Sequence, residues 1–245
     1  MLHAARARLE RRPTNTSRRR LGEFAKEAAG VGTGPHFRVL DVGAGHGPYR
    51  PFFQHVQYES ADVQDNGVVD HVCDIHQLPM ADNTYDLVFC SQTLEHVRRP
   101  ARAMREIGRV LKPGGEAWLS APLVFQEHLG PSDYFRFTRF AWRYLARQAG
   151  LDVVSIQRLE GDCGVAAYHL EVATKAMPAR QHLRRWIVLA MARSLARQEL
   201  SNAQPGARGL VKNYRVRLRK PQAASQGAPP QGIAEEAVRA RASSA

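Results

Sequence analysis

Residues 37–47, Phe-Arg-Val-Leu-Asp-Val-Gly-Ala-Gly-His-Gly, constrain the chain more than any other stretch. A short apolar run ends in Asp41, and glycines follow at 43, 45 and 47. This pattern predicts a buried strand that stops at a tight turn. Glycine there allows positive φ and lets a ligand approach with no Cβ in the way.

A dinucleotide fingerprint would read G-x-G-x-x-G and open directly into a helix. Here the spacing is G-x-G-x-G, and Tyr49 follows between Pro48 and Pro51, so the next helix starts late or is short. A pyrophosphate site also wants N–H groups with no anion beside them. Asp41 suits instead a ligand without phosphate that carries positive charge, such as S-adenosylmethionine. A glycine-rich turn with no ligand is the plainer alternative. Downstream, Tyr58–Val63 reads as a second strand ending in Asp62. That residue lies about 20 positions past the glycines, where an acid meets ribose hydroxyls. Val68 to Asp74 reads as a third strand, with Asp74 and Ile75 placed to meet an adenine ring. Tyr85–Ser91 is nearly all apolar, as a strand buried on both faces should be.

With these segments in view, the chain resembles a class I S-adenosylmethionine-dependent methyltransferase of the type 11 kind. It is most similar to a small bacterial subgroup encoded beside polysaccharide and other surface-glycan genes. The resemblance rests on residues 39–47, Asp74-Ile75-His76-Gln77-Leu78-Pro79, Leu94-Glu95-His96-Val97, 109–115 and the segment from Glu127 to Thr138. It covers roughly residues 20–160 and resumes at 213–221. It implies an α/β fold: a doubly wound, seven-stranded, mostly parallel sheet of the Rossmann-like methyltransferase type. A helical insertion at about 170–208 would precede the last, antiparallel strand. It also implies roles. Asp41, Gly43, Gly45 and Gly47 would line the methionine end, Asp62 the ribose, and Asp74 with Ile75 the adenine. Gln92 and Leu94 would sit beneath the methyl group.

The remaining pattern agrees. Ala103, Met104, Ile107, Val110 and Leu111 recur at helical spacing, and Pro113-Gly114-Gly115 would end that helix. Residues 116–122 read as a fifth strand. Thr138 can cap a helix through Ala149, and 151–159 read as a sixth strand. Ser17–Ala29 reads as a helix, which relatives use to lid the cofactor. The methyltransferase domain is expected over 17–221, between a disordered basic arm (1–16) and a disordered tail (222–245).

Charge is distributed unevenly. Residues 31–169 carry 13 basic against 16 acidic side chains, whereas 170–221 carry 12 against two. A slightly acidic catalytic body argues against a nucleic-acid substrate, whose enzymes more often line the cleft with basic and aromatic side chains. Within 178–200, Leu183, Trp186, Ile187, Ala190, Met191 and Leu195 share one helical face, and Arg180, Arg184, Arg185, Arg193 and Arg197 stand largely on another. Such a helix allows peripheral contact with an anionic membrane. A helix packed over the domain, with its arginines solvated, is the plainer account. No apolar run approaches the ~20 residues of a membrane span, and the N-terminus has no apolar middle of the signal-peptide kind. Cys73, Cys90 and Cys163 show no metal-ligand spacing, and no metal is expected. A cytoplasmic setting fits, with the inner membrane surface as a peripheral option.

Methyl transfer needs alignment, exclusion of water and, for a hydroxyl acceptor, removal of a proton. His96, His128 and Asp133 are the candidate proton-handling groups, and Tyr134 and Arg136 the candidate acceptor-binding groups. Arg136 paired with Asp133 is the plainer reading. The expected acceptor is a hydroxyl or amine on a small or glycan-linked molecule. The alternatives are an RNA methyltransferase guided by the basic flanks and a non-catalytic cofactor-binding platform.

Overall fold

The computed structural model describes residues 16–178, 180–201 and 209–222. The expected arm at 1–16 (save Thr16) and most of the tail lie outside the described residues. Helix α1 (Ser17–Ala29) comes first; it buries Leu21, Phe24, Ala25, Ala28 and Ala29 on one stripe. Strands β1 (Arg38–Val42), β2 (Gln57–Asp62), β3 (His71–Val72) and β4 (Tyr85–Ser91) follow. Then come α2 (Pro100–Val110), β5 (Leu111–Pro122), α3 (Arg139–Gln148) and β6 (Asp152–Arg158). Among the described residues, α4 (Asp162–Lys175), α5 (His182–Ser201) and β7 (Asn213–Arg219) come last. Single 3-10 turns occupy Arg50–Phe53 and Leu94–His96.

The seven strands form one sheet in the order β3-β2-β1-β4-β5-β7-β6. Pairings from β3 through to β5 are parallel, and β7 runs antiparallel to both β5 and β6. This is the doubly wound, mostly parallel architecture that the strand–helix alternation predicts. One face packs Met104, Ile107, Trp142 and Leu145 from α2 and α3 against Leu40, Val88 and Leu119. On the other face Phe24 and Phe53 meet Val39, Phe89 and Trp118. With both faces covered, β4 is an almost continuous apolar run. The order reverses at β1, which pairs with β2 on one side and β4 on the other. Ligands of such sheets bind at the carboxyl ends of the strands beside this switch.

Several boundaries differ from those read in the sequence, each for a local reason. Strand β3 keeps only two residues, because Asp70 is drawn off by the amide and hydroxyl of Ser60 (2.8 and 2.7 Å) and by Arg50. Helix α2 ends at Val110, before Pro113-Gly114-Gly115. Leu111 is already extended and paired with Tyr85, and Lys112 bonds Asp86 at 2.7 Å. The helical segment before β7 opens at Asp162, ahead of the expected 170. Thr138 caps α3 as expected, its hydroxyl accepting from the Ala141 amide at 3.2 Å.

The α4–α5 pair is tied down by a buried polar network. The Glu199 carboxylate accepts from the amides of Gly161 and Gly164, both at 3.0 Å, which satisfies the first turn of α4. Beneath it lies Glu160, fully buried, which accepts from Thr16, from Ser17 at 2.6 Å and from Asn213 at 2.6 Å. The equally buried Lys212 ammonium lies 3.5 Å from that carboxylate and 4.5 Å over the Tyr168 ring. Helix α5 sits with small residues inward: Ala192 and Ala196 are buried. Leu183, Trp186, Ile187 and Met191 are exposed. The apolar face expected to pack therefore points outward. No helix among the described residues is long and apolar enough to cross a membrane.

Candidate active site at the carboxyl edge of the sheet

A cavity of about 260 Å³ opens at the ends of β1, β2 and β4. Its floor is Gly43 with φ +73°, packed so closely that a Cβ there would fall 2.3 Å from the Thr93 side chain. The Gly43 amide donates to the Ala61 carbonyl at 2.8 Å, which fixes the turn to β2. Asp62 then holds the glycine loop: Oδ2 accepts from the Gly45 amide at 2.9 Å, and Oδ1 from Gln64 at 2.9 Å. Positive φ at Gly45 and Gly47 completes the turn.

Asp62, Asp74, Ile75 and Gly43 all face this cavity, beside Ala61, Val63, Cys73, Leu78 and Val97. The Asp74 carboxylate is drawn below its ordinary range, first by the His76 amide at 2.9 Å and also by the His76 ring at 2.6 Å. The other residues assigned to the cofactor lie around rather than on the lining. Asp41 is enclosed, bonded by the Tyr58 hydroxyl at 2.6 Å. Burial pushes its carboxyl up to about 7, and the Tyr58 bond opposes the rise. Leu94 is wholly buried in the core. Gln92 sits at the end of β4 with φ +55°, its amide donating to the Ser120 carbonyl at 2.9 Å. Backbone in this region is unusual for a side-chain-bearing residue and clusters at functional sites.

The opposite wall is built by the 3-10 turn Leu94–His96 and the loop over 123–137. Amides of Tyr134 and Phe135 donate to the Glu95 carbonyl at 2.8 and 3.2 Å, pinning loop to turn. His96 and Tyr134 face the cavity, with Arg98 and Ser132. The His96 Nδ1 lies 2.6 Å from the Ser132 carbonyl, so Nδ1 carries the proton and Nε2 keeps a lone pair. Burial holds this imidazole below its ordinary pKa, chiefly against the bond to Ser132. The His128 ring meets His96 edge-on, 4.7 Å between centroids. Tyr134 accepts from Arg98 at 2.9 Å and stays part-exposed.

Asp133 and Arg136 are committed to each other. Two guanidinium nitrogens reach the two carboxylate oxygens at 2.6 and 2.8 Å, and the His128 amide adds a bond at 2.8 Å. This pairing holds Asp133 far below the usual carboxylate range. Arg136 also donates to the carbonyls of Phe125, Gln126 and Phe135. So the pair clamps the loop, and Asp133 is a poor proton acceptor. Sequence reasoning missed Glu95. Its side chain is fully buried beside His96, neither carboxylate oxygen has a hydrogen-bond partner among the described residues, and burial raises its pKa to about 8. An acid between Leu94 and His96 in an amphipathic stretch gave no sign that it would turn inward.

The lining suits S-adenosylmethionine on its own chemistry. Two carboxylates stand where hydroxyl and amino donors would lie, apolar side chains flank the Asp74 end, and no anion cradle of amides and lysines is present on the lining.

Known proteins agree with this fold. Residues 29–119 match the family model described as "Methyltransferase domain". A ubiquinone/menaquinone biosynthesis C-methyltransferase, UbiE, from Burkholderia orbicola is 28% identical over 184 residues, covering 56% of this chain and 75% of the relative. The biotin biosynthesis bifunctional protein BioHC of Cellvibrio japonicus is 31% identical over 122 residues, covering 43% of this chain and 22% of that protein. Among solved structures, the [4+2]-cyclase SpnF superposes with TM-score 0.56 at 23% identity, covering 83% and 81% of the two chains. A phosphoethanolamine N-methyltransferase of Haemonchus contortus with S-adenosylmethionine gives TM-score 0.53 at 16% identity, covering 78% and 50%. These matches support an S-adenosylmethionine-dependent methyltransferase, with the methyltransferase domain matched over residues 29–119.

Proposed function

We propose that the protein methylates a hydroxyl or amine of a small or glycan-linked acceptor bound against His96, His128 and Tyr134. The observation that carries this is the two-sided cavity: acids suited to a nucleoside on one wall, and a neutral imidazole with a tyrosine on the other. Asp62 would hold ribose hydroxyls, Asp74 and Ile75 the adenine, and the Gly43 floor would admit the ligand backbone closely. The bound cofactor supplies a methyl group activated on a positive sulfur. His96 is the better placed proton acceptor, because its Nε2 is unprotonated and the ring lines the cavity. Ser132 holds that tautomer, and the Asp133–Arg136 clamp keeps the loop over the site. The relative UbiE is named a C-methyltransferase, so a carbon acceptor is the alternative chemistry to score in the same assay.

The test is transfer of a labelled methyl group to a panel of sugars, lipid-linked glycans, quinol-like phenols, small amines and RNA. Turnover on a glycan or small hydroxyl or amine acceptor, falling at least ~100-fold in His96→Ala, supports the reading. Turnover confined to RNA, with a steep loss at higher salt, would replace it.

Helix α5 supports a peripheral position on an anionic bilayer. Its outward face carries Leu183, Trp186, Ile187 and Met191, all exposed, with Arg184, Arg193 and Arg197 around it. Arginine stems can lie on such a surface while their heads reach lipid phosphates. Trp118 and Trp142 are buried and Trp186 is exposed, so Trp186 is a built-in reporter. Anionic vesicles should blue-shift its emission, and neutral vesicles should not. An unchanged spectrum with anionic vesicles would reject the attachment.

A further inference from the structure

Glu95, His96 and His128 come together at the acceptor side of the cavity. One ligand atom from each lies within 4.8 Å of the others. Glu95 is fully buried, and both its oxygens lack a hydrogen-bond partner among the described residues. Taking an unsatisfied carboxylate out of water is costly, so such a group calls for a counter-charge or a proton. We infer that these three side chains bind one divalent transition-metal ion, at a position that can also hold an acceptor oxygen.

The surroundings fit ligation. Metal-bound histidines usually donate their second ring N–H to a carbonyl or carboxylate. His96 does so through Nδ1 to Ser132, which leaves Nε2, 3.9 Å from Glu95 Oε1, as the free donor atom. The His128 ring nitrogen Nδ1 lies 3.3 Å from Asp133 Oδ2, within reach of that carboxylate but without a hydrogen bond to it among the described residues. Bonds of about 2.0–2.2 Å to a tetrahedral ion set neighbouring ligand atoms about 3.4 Å apart. The cluster therefore needs a small inward movement, which His128, on the loop over 123–137, can make. Two imidazoles and one carboxylate select zinc, manganese, iron(II) or cobalt over magnesium or calcium. Three protein ligands leave a coordination position open, and His96 places it toward the cavity. An acceptor hydroxyl bound there would be oriented, and its proton made more acidic by the ion, which would take the place of the proton transfer to His96 because the ion occupies the Nε2 lone pair. That role rests on the methyl-transfer reading; the binding of the ion does not.

The test uses untagged full-length protein stripped with a chelator. Cobalt is titrated with visible absorption as the readout, and zinc and manganese by calorimetry. One equivalent should bind with ligand-field bands, and affinity should fall at least ~30-fold in Glu95→Gln and in His128→Ala. Circular dichroism and thermal melting check that both variants fold. Weak binding shared equally by wild type and variants would assign the signal to the other surface histidines and overturn the inference. So would no binding at all, which would mean that Glu95 carries a proton. Titration with S-adenosylhomocysteine on the same preparation separates the two readings. Product binding without metal binding rejects the metal site alone, and metal binding without product binding rejects the methyltransfer reading alone.

Discussion

Replacing Gly43 by alanine probes the floor of the cavity directly. A new Cβ would lie 2.3 Å from both Thr93 Cγ2 and Oγ1, and 2.8 Å from Thr93 Cβ. The contact to Cβ means that rotating Thr93 cannot relieve it, and the Gly43 amide is pinned to Ala61 at 2.8 Å. Two costs add. Left-handed backbone at φ +73° costs about 1–2 kcal/mol for a residue with a Cβ. Overpacking costs about 1–3 kcal/mol more. A total of roughly 2–5 kcal/mol, at about 2–4 °C per kcal/mol for a domain of this size, lowers Tm by roughly 4–20 °C. Because Gly43 and Thr93 both line the cavity, S-adenosylhomocysteine affinity should fall at least ~10-fold. Adding Thr93→Ala removes the two shortest clashes, so the double variant should recover part of the stability loss. The backbone cost should remain. Calorimetry and thermal melting read both. A single variant that melts and binds like wild type would refute the tight-floor argument.

Further outcomes follow from the same reasoning. Asp41 is buried with its carboxyl raised to about 7, against an unperturbed value near 3.8. The folded protein therefore holds a proton that the unfolded chain releases, and stability should decline as pH rises from about 4 to 7, by on the order of 4 kcal/mol. Asp41→Asn should flatten that decline in urea titrations across the window; an unchanged slope counts against the buried acid. Glu160→Ala would remove the carboxylate 3.5 Å from the buried Lys212 and one acceptor each from Thr16, Ser17 and Asn213. A loss of about 3–5 kcal/mol in urea unfolding is expected, and a loss below about 1 kcal/mol would contradict the network. Asp133→Asn breaks the two-point pairing with Arg136. It should weaken acceptor binding while leaving S-adenosylhomocysteine affinity unchanged, and an equal loss of both would show that the loop also shapes the nucleoside wall.

The sequence made legible whatever local chemistry decides. The glycine turn after β1, the both-faces-buried β4 and the Thr138 cap all announce themselves by residue type and spacing. So does the antiparallel last strand, through the family resemblance. Longer-range choices were hidden. Periodicity shows that Leu183, Trp186, Ile187 and Met191 share a face of α5, but not which way that face turns. Its direction goes with Ala192 and Ala196, which are buried, and with Glu199, whose carboxylate accepts from the amides of Gly161 and Gly164 at the start of α4. Helix α4 was hard to see because Gly164 interrupts its start and its apolar residues spread around it with little facing preference. In the site, Asp62 and Asp74 stand at strand ends where a register argument can place them. Glu95 turns inward because the loop amides of Tyr134 and Phe135 grip its carbonyl, a contact spanning nearly 40 residues.

The most direct measurement is calorimetric titration of the folded protein with S-adenosylhomocysteine, beside Asp62→Ala. Two charge-assisted bonds to ribose hydroxyls, at about 1.5–3 kcal/mol each, set the scale of the loss. The account predicts one micromolar site in the wild type and an affinity at least ~100-fold lower in the variant. No binding to the folded wild type, or equal binding by both proteins, would contradict it.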